Sequence, residues 1–151
     1  MIAAEPRFDA LIGLIYDGVT EPAGFQRFIE ECVHVFDVKA AMLFSRNMLT
    51  TDATGLWASG IALRCIETYG MEYGAEDMLA HHLAASPIAH FCASNLDLDA
   101  QLFSQTRFYR EWVVPQGVAY ASAEVVLREG AWMSQIVLQR SERQRIVTVA
   151  E

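Results

Sequence analysis

Residues 108–117 read FYREWVVPQG. Phe108 and Trp112 stand four residues apart, as do Tyr109 and Val113, so each pair shares one face of a helix. Ser104 offers the hydroxyl that an N-cap uses to satisfy the first unpaired backbone amides. Pro115 has no amide hydrogen and biases Val114 toward an extended conformation, which predicts that the helix ends there. Gly117 then lets the backbone turn into the β-patterned run that follows. The stretch reads as a short helix, anchored by aromatic side chains, that delivers the chain into a sheet.

Upstream, Phe8, Leu11, Ile12, Ile15 and Val19 follow the three–four spacing of one apolar stripe behind Pro6, a first-turn residue. Asp17-Gly18 marks its stop. A second helix is expected with Thr20 or Glu21 as cap and Pro22 in its first turn. Its stripe is Phe25, Phe28, Ile29, Cys32, Val33 and Phe36, and Arg27 is placed to pair with Glu31. Residues 40–46 read as a strand, 47–54 as a loop, and 55–60, centred on Trp57, as a strand pairing with the first. A helix over 62–73 is expected to end at Gly74, and a short one over 77–85 to stop before Pro87. Residues 88–92 suggest a strand and 97–103 a helical turn. Tyr120–Arg128 and Trp132–Arg140 form a hairpin around Glu129-Gly130-Ala131. The interspersed Ser122, Glu124, Arg128, Ser134 and Gln139 predict a sheet with one wet face. The order of elements implies an α+β fold, an antiparallel sheet flanked by helices on one or both faces.

At 151 residues the chain is expected to be one domain with a substantial core. It is 53% hydrophobic and 20% charged, which places it among globular rather than disordered chains. The mean hydropathy of +0.19 is high for a small domain and suggests a surface covered by a second copy or an internal ligand pocket. A net charge of −8 repels phosphate backbones, so no nucleic-acid binding by this chain is expected. Cys32, Cys65 and Cys92 are odd in number and lie in apolar contexts, the pattern of reduced, buried thiols in a cytoplasmic protein. The N-terminus does not read as a signal peptide, and no run approaches the roughly 18 apolar residues of a membrane span.

Chemistry is sparse. Asp77 and His81 are four apart, with His82, His90 and Cys92 nearby, but no spacing matches a metal-ligand pattern, and adjacent histidines point about 100° apart on a helix. No metal or other cofactor is expected. There is no GxSxG, no Cys with a His-bearing motif and no glycine-rich phosphate loop, so the chain does not read as an enzyme. Trp57, Tyr69, Tyr73, Tyr109, Trp112 and Tyr120 are aromatic residues with a polar tip, the kind that lines a small-molecule cavity between helices and sheet.

The segments FDALIGLIYDGVTEPAGFQRFIEE (8–31), YGMEY (69–73) with Asp77, and FYREWVVPQGVA (108–119), with the closing VLREGAWMSQIVLQR, resemble the N-terminal sensory region of bacterial LuxR-type transcriptional regulators. That region has a GAF- or PAS-like fold. The resemblance implies a ligand-sensing domain that binds a small apolar or aromatic molecule and signals through a homodimer interface. It also implies that DNA is read by a helix-turn-helix domain for which this chain has no room. The alternative is a ligand-free dimerisation or protein-interaction module. In the lactone-binding branch, a Trp and a Tyr precede an Asp. Placing Asp77 there puts Arg64 and Thr68 at the Trp and Tyr positions, which argues against a lactone ligand.

Overall fold

In a computed structural model that describes residues 5–50 and 52–149, five antiparallel strands form one sheet in the order β2-β1-β5-β4-β3. The strands are β1 (Ala40–Asn47), β2 (Ala53–Ser59), β3 (Phe91–Ala93), β4 (Tyr120–Glu129) and β5 (Trp132–Arg140). β1 and β2 pair as the pattern implied, and Glu129 faces Trp132, so the last hairpin turns on Gly130-Ala131 alone, with Gly130 at φ 57°. β5 lies at the centre of the sheet and pairs with β1 from Ala40–Gln139 to Asn47–Trp132.

Strand alternation gives the sheet two different faces. On one, Ala41, Leu43, Trp57, Ile136 and Leu138 meet Leu11 of α1 (Glu5–Thr20) and Ile29 and Cys32 of α2 (Gly24–Val35). On the other, Ala123, Val125 and Met133 meet Leu79 and Leu83 of α4 (Met78–Ala84). Helices therefore cover both faces. Of the residues expected on a wet face, Ser122 and Gln139 are buried, Glu124 and Ser134 half-buried, and Arg128 at the end of β4 exposed. An alternating pattern cannot separate water from a polar interior, and at Ser122 and Gln139 it marked the latter.

Several local expectations change. Neither Thr20 nor Glu21 caps α2, which starts behind a turn at residues 21–23 with Ala23 as an uncapped N-cap. Arg27 pairs with Glu21 at 2.5 Å and Asp17 at 3.5 Å instead of Glu31, since the α1–α2 corner brings two carboxylates to one guanidinium. The loop at 47–54 shortens: the Asn47 side chain accepts from the amides of Leu49 and Thr50, and β2 begins at Ala53. The strand near residue 90 runs only from Phe91, after Ala89 at φ 60°, and the helical turn near 100 divides into α5 (Ser94–Asp97) and α6 (Ala100–Gln105). Asp99 caps the latter by accepting from the Leu102 amide.

The two helical segments over the second face carry the largest departures. α3 (Leu63–Thr68) widens into a π turn, Tyr69–Tyr73, then tightens into a 3₁₀ turn, Gly74–Glu76. Gly74 does not end it; a Cβ there would lie 2.9 Å from the Tyr69 carbonyl oxygen, so the glycine lets the backbone pass. The anchor segment repeats this sequence of turns, π over Tyr109–Val113 and 3₁₀ over Val114–Gln116. Its cap is Thr106, whose Oγ1 accepts from the Tyr109 amide, whereas Ser104 sits inside α6 and donates to the Gln101 carbonyl. Val114 stays helical, because Pro115 needs no donor at the start of a 3₁₀ turn, and the exit comes at Gly117 with φ 70°.

Two glycine substitutions separate these roles. Gly13, within α1, has open space where a Cβ would go, so Gly13→Ala should stabilise by about 1 kcal/mol. Gly74→Ala should cost about 1–3 kcal/mol, because backbone must move to admit the methyl group. Urea unfolding of both variants measures the difference in sign.

Candidate functional site

Between the second sheet face and the π-turn segments lies a half-enclosed cavity of about 270 Å³. Its floor is Met42, Phe44 and Arg46 of β1 with Gln135, Val137 and Gln139 of β5, alternate residues of the two central strands. Its roof is Ile66, Tyr69, Leu79 and Leu83 on one side and Phe103, Phe108, Trp112 and Val113 on the other. The lining is mostly apolar, with Arg46, Glu72, Asp77 and Gln135 among its polar members.

The roof is an aromatic lattice. Trp112 stacks on Phe108 (centroids 5.2 Å apart, planes 17°) and packs on Tyr69 at 5.2 Å, while Tyr69 meets Phe108 edge-on at 6.0 Å. The Trp112 indole N–H donates to the Cys65 carbonyl at 2.8 Å, tying the anchor segment to α3. Outside, Arg107 forks onto Glu72 (2.9 Å) and Glu76 (2.6 Å), with its guanidinium 4.8 Å above the Tyr73 ring. The same two segments are thus joined inside by rings and outside by charge.

Asp77 closes one end. Its Oδ1 accepts from the amides of Leu79 and Ala80, capping α4, and its Oδ2 accepts from the Tyr69 hydroxyl at 2.8 Å. Burial pushes the Asp77 carboxyl above its ordinary range, against the opposing pull of those hydrogen bonds and Arg46. Tyr69 is held well above the ordinary phenol range, first by burial and then by the Asp77 charge. Arg46 reaches the Tyr69 oxygen at 3.4 Å. Gln135 differs from all of these: it is 3% exposed, and among the described residues its Oε1 has no hydrogen-bond partner.

Of the residues singled out in the sequence, Tyr69, Asp77, Trp112 and Tyr120 border this cavity. Tyr120 pairs with Arg140 and by alternation lies on the same side as Ser122, opposite Ala121, so it bounds the cavity only at the start of β4. Trp57 packs on Phe25 (4.9 Å) under α2, on the other sheet face. Tyr73 lies at the outer rim, its hydroxyl donating to Glu111 at 3.1 Å, and Tyr109 packs on Phe103 at 5.0 Å; neither borders the cavity. Arg64 and Thr68 are also absent from the wall. The missed residues are Phe44, Arg46 and Gln135, and the signal that could have found them was strand alternation in 40–46 and 132–140.

No protein-family model and no curated protein matches the chain. Solved structures do. The VqsR ligand-binding domain from Pseudomonas aeruginosa aligns over 90% of this chain and 81% of its own, with TM-score 0.66 and 12% identity. The N-acylhomoserine lactone-dependent LuxR-family factor CepR2 from Burkholderia cenocepacia aligns over 97% and 84%, with TM-score 0.67 and 12% identity. SdiA in complex with octanoyl-rac-glycerol gives TM-score 0.56 at 14% identity, over 97% of this chain and 58% of that one. The chain therefore has the fold of the ligand-binding domains of LuxR-type transcriptional regulators.

Proposed function

We propose that this chain is the sensory domain of a LuxR-type regulator, binding a mainly apolar small molecule between the sheet and the π-turn segments. The observation that carries this reading is Gln135, a buried carboxamide whose oxygen has no partner among the described residues, on the floor of a mostly apolar cavity. A buried acceptor left unpaired costs roughly 1–3 kcal/mol, and a ligand N–H or O–H would recover it. The fold shared with the VqsR ligand-binding domain and the LuxR-family transcription factor CepR2 supports the class of function. The ligand is apolar along Phe44, Val137 and Trp112, with its donor on Gln135. Tyr69, Asp77, Trp112 and Tyr120 border it, while Trp57, Tyr73 and Tyr109 support the walls from behind. Among the described residues no helix is long and apolar enough to cross a membrane.

The signalling half of the proposal is a homodimer through α1. Phe8, Ile12, Ile15 and Val19 are all exposed, and their spacing of four, three and four is that of a coiled-coil seam. Leu11 already serves the packing on α2, so the seam is a second, outward face that suits a second copy of itself. The protein should sediment as a dimer at micromolar concentration, and Ile12→Glu should make it monomeric without unfolding it. A wild-type monomer would remove this half of the proposal.

Native mass spectrometry of protein purified from its host should show a co-purified small molecule. Gln135→Leu should stabilise the ligand-free protein by about 1 kcal/mol, since it removes an unpaired buried acceptor at similar size, and should weaken ligand binding at least tenfold. A variant that is less stable yet binds equally well contradicts the assignment.

Asp77 gives a pH test. Because burial raises its folded-state pKa, the folded protein holds this proton more tightly than the unfolded chain. Its contribution is therefore most favourable below the ordinary value of 3.8 and declines as pH rises through the raised folded value. Asp77→Asn keeps an oxygen for the Leu79 and Ala80 amides and loses that dependence. The stability of wild type relative to Asp77→Asn should fall as pH is raised from 3 to 7, measured by urea unfolding at each pH.

A further inference from the structure

A second constellation lies behind α4, outside the cavity wall. His82 in the last turn of α4, Cys92 on β3 and Asp97 at the end of α5 place an imidazole nitrogen, a thiol and a carboxylate oxygen all within 4.8 Å of one another. His82 Nε2 and Asp97 Oδ1 are 3.8 Å apart. We propose that these three side chains form a binding site for a divalent transition metal, zinc being the ion whose chemistry they fit best.

The donor set and its support both favour this. Nitrogen, sulfur and one carboxylate oxygen make up the borderline-soft set that zinc takes in tetrahedral geometry, with a fourth position left for water. Bonds of about 2.0–2.3 Å put neighbouring donors roughly 3.3–3.8 Å apart, so the site closes by movements of about 1 Å. The two residues that must move, His82 and Asp97, keep solvent-accessible side chains, while Cys92 is fixed in the core. Asp97 is already oriented: its Oδ2 accepts from the Ala93 amide at 2.7 Å, which leaves Oδ1 turned to His82. Ser86 Oγ stands 3.5 Å from Cys92 Sγ and ties it to the end of α4 by donating to the His82 backbone carbonyl at 2.9 Å. Such outer contacts fix ligand direction in metal sites. On binding, the Cys92 thiol gives its proton to solvent and its sulfur bonds the ion as thiolate.

His82 and Cys92 were in view in the sequence, but their spacing matches no metal-ligand pattern and Asp97, from a third element, did not stand out. The notable pairs in the sequence, His81 with His82 and Asp77 with His81, are not the ones brought together. Asp77 is occupied at the cavity end instead.

Cobalt(II) added to chelator-treated full-length protein is the direct probe. One equivalent should give an intense visible band of tetrahedral cobalt together with a thiolate-to-metal charge-transfer band, and zinc should displace both. Cys92→Ser should abolish the charge-transfer band. His82→Ala and Asp97→Asn should each weaken affinity at least tenfold, the latter preserving an acceptor for the Ala93 amide. Cys65→Ser should change nothing. Circular dichroism identifies any variant that fails to fold, and His82→Ala, at a partly exposed position, keeps the test decisive if Cys92→Ser does. No cobalt bands in the wild type, or bands unchanged in folded Cys92→Ser or His82→Ala, would overturn the proposal.

Discussion

The Trp112 indole is held on three sides, and the rest of the roof depends on that. Its N–H is bonded to the Cys65 carbonyl, its face lies on Phe108, and its other neighbour is Tyr69. These contacts lock two helical segments together, each carrying a π turn followed by a 3₁₀ turn. Aromatic side chains bury about 150–250 Å² apiece, so the cluster outweighs the solvent-exposed Arg107 fork, whose ion pairs are screened by water. The two segments brace one another, and neither needs to settle onto the sheet to bury its rings. A cavity can persist beneath them for that reason.

The sheet contributes the opposite asymmetry. On the α1–α2 face its central strands offer Leu43, Ile136 and Leu138 to a closed apolar core. On the other face the same strands present Arg46, Gln135 and Gln139 along with Phe44 and Val137. A core built only for stability would not keep a carboxamide oxygen unpaired in its middle, since apolar replacement is the cheaper solution. Under the sensory reading, that cost is what a ligand relieves. α4 links the two proposed sites, because Leu79 and Leu83 face the cavity while His82 points to Cys92 and Asp97.

The fold class was legible because its signals are local. Amphipathic stripes located α1 and α2, and β-rich runs around a glycine located the last hairpin. The anchor helix was found, but its form was not: a π turn depends on which side chains the widened turn can bury, and i, i+4 spacing cannot report that. Ser104 and Thr106 are both plausible caps by type, and only the end of α6 at Gln105 decides between them. The candidate site was half legible. Tyr69, Asp77 and Trp112 stood out as polar-tipped or charged residues in apolar segments. Trp57 stood out equally yet faces α2, because one step along a strand exchanges the two faces. Gln135 was invisible, since a glutamine in an alternating strand reads as solvent-facing until the helices above it are placed.

The most direct test of the cavity as a ligand site is a crystal structure of the protein purified from its host. The account predicts continuous non-protein density between Phe44 and Val137 below and Tyr69 and Trp112 above, with a polar atom within hydrogen-bond distance of Gln135 Oε1. A roof collapsed onto the sheet, with Gln135 turned to a protein partner, would contradict it. So would a cavity holding water alone.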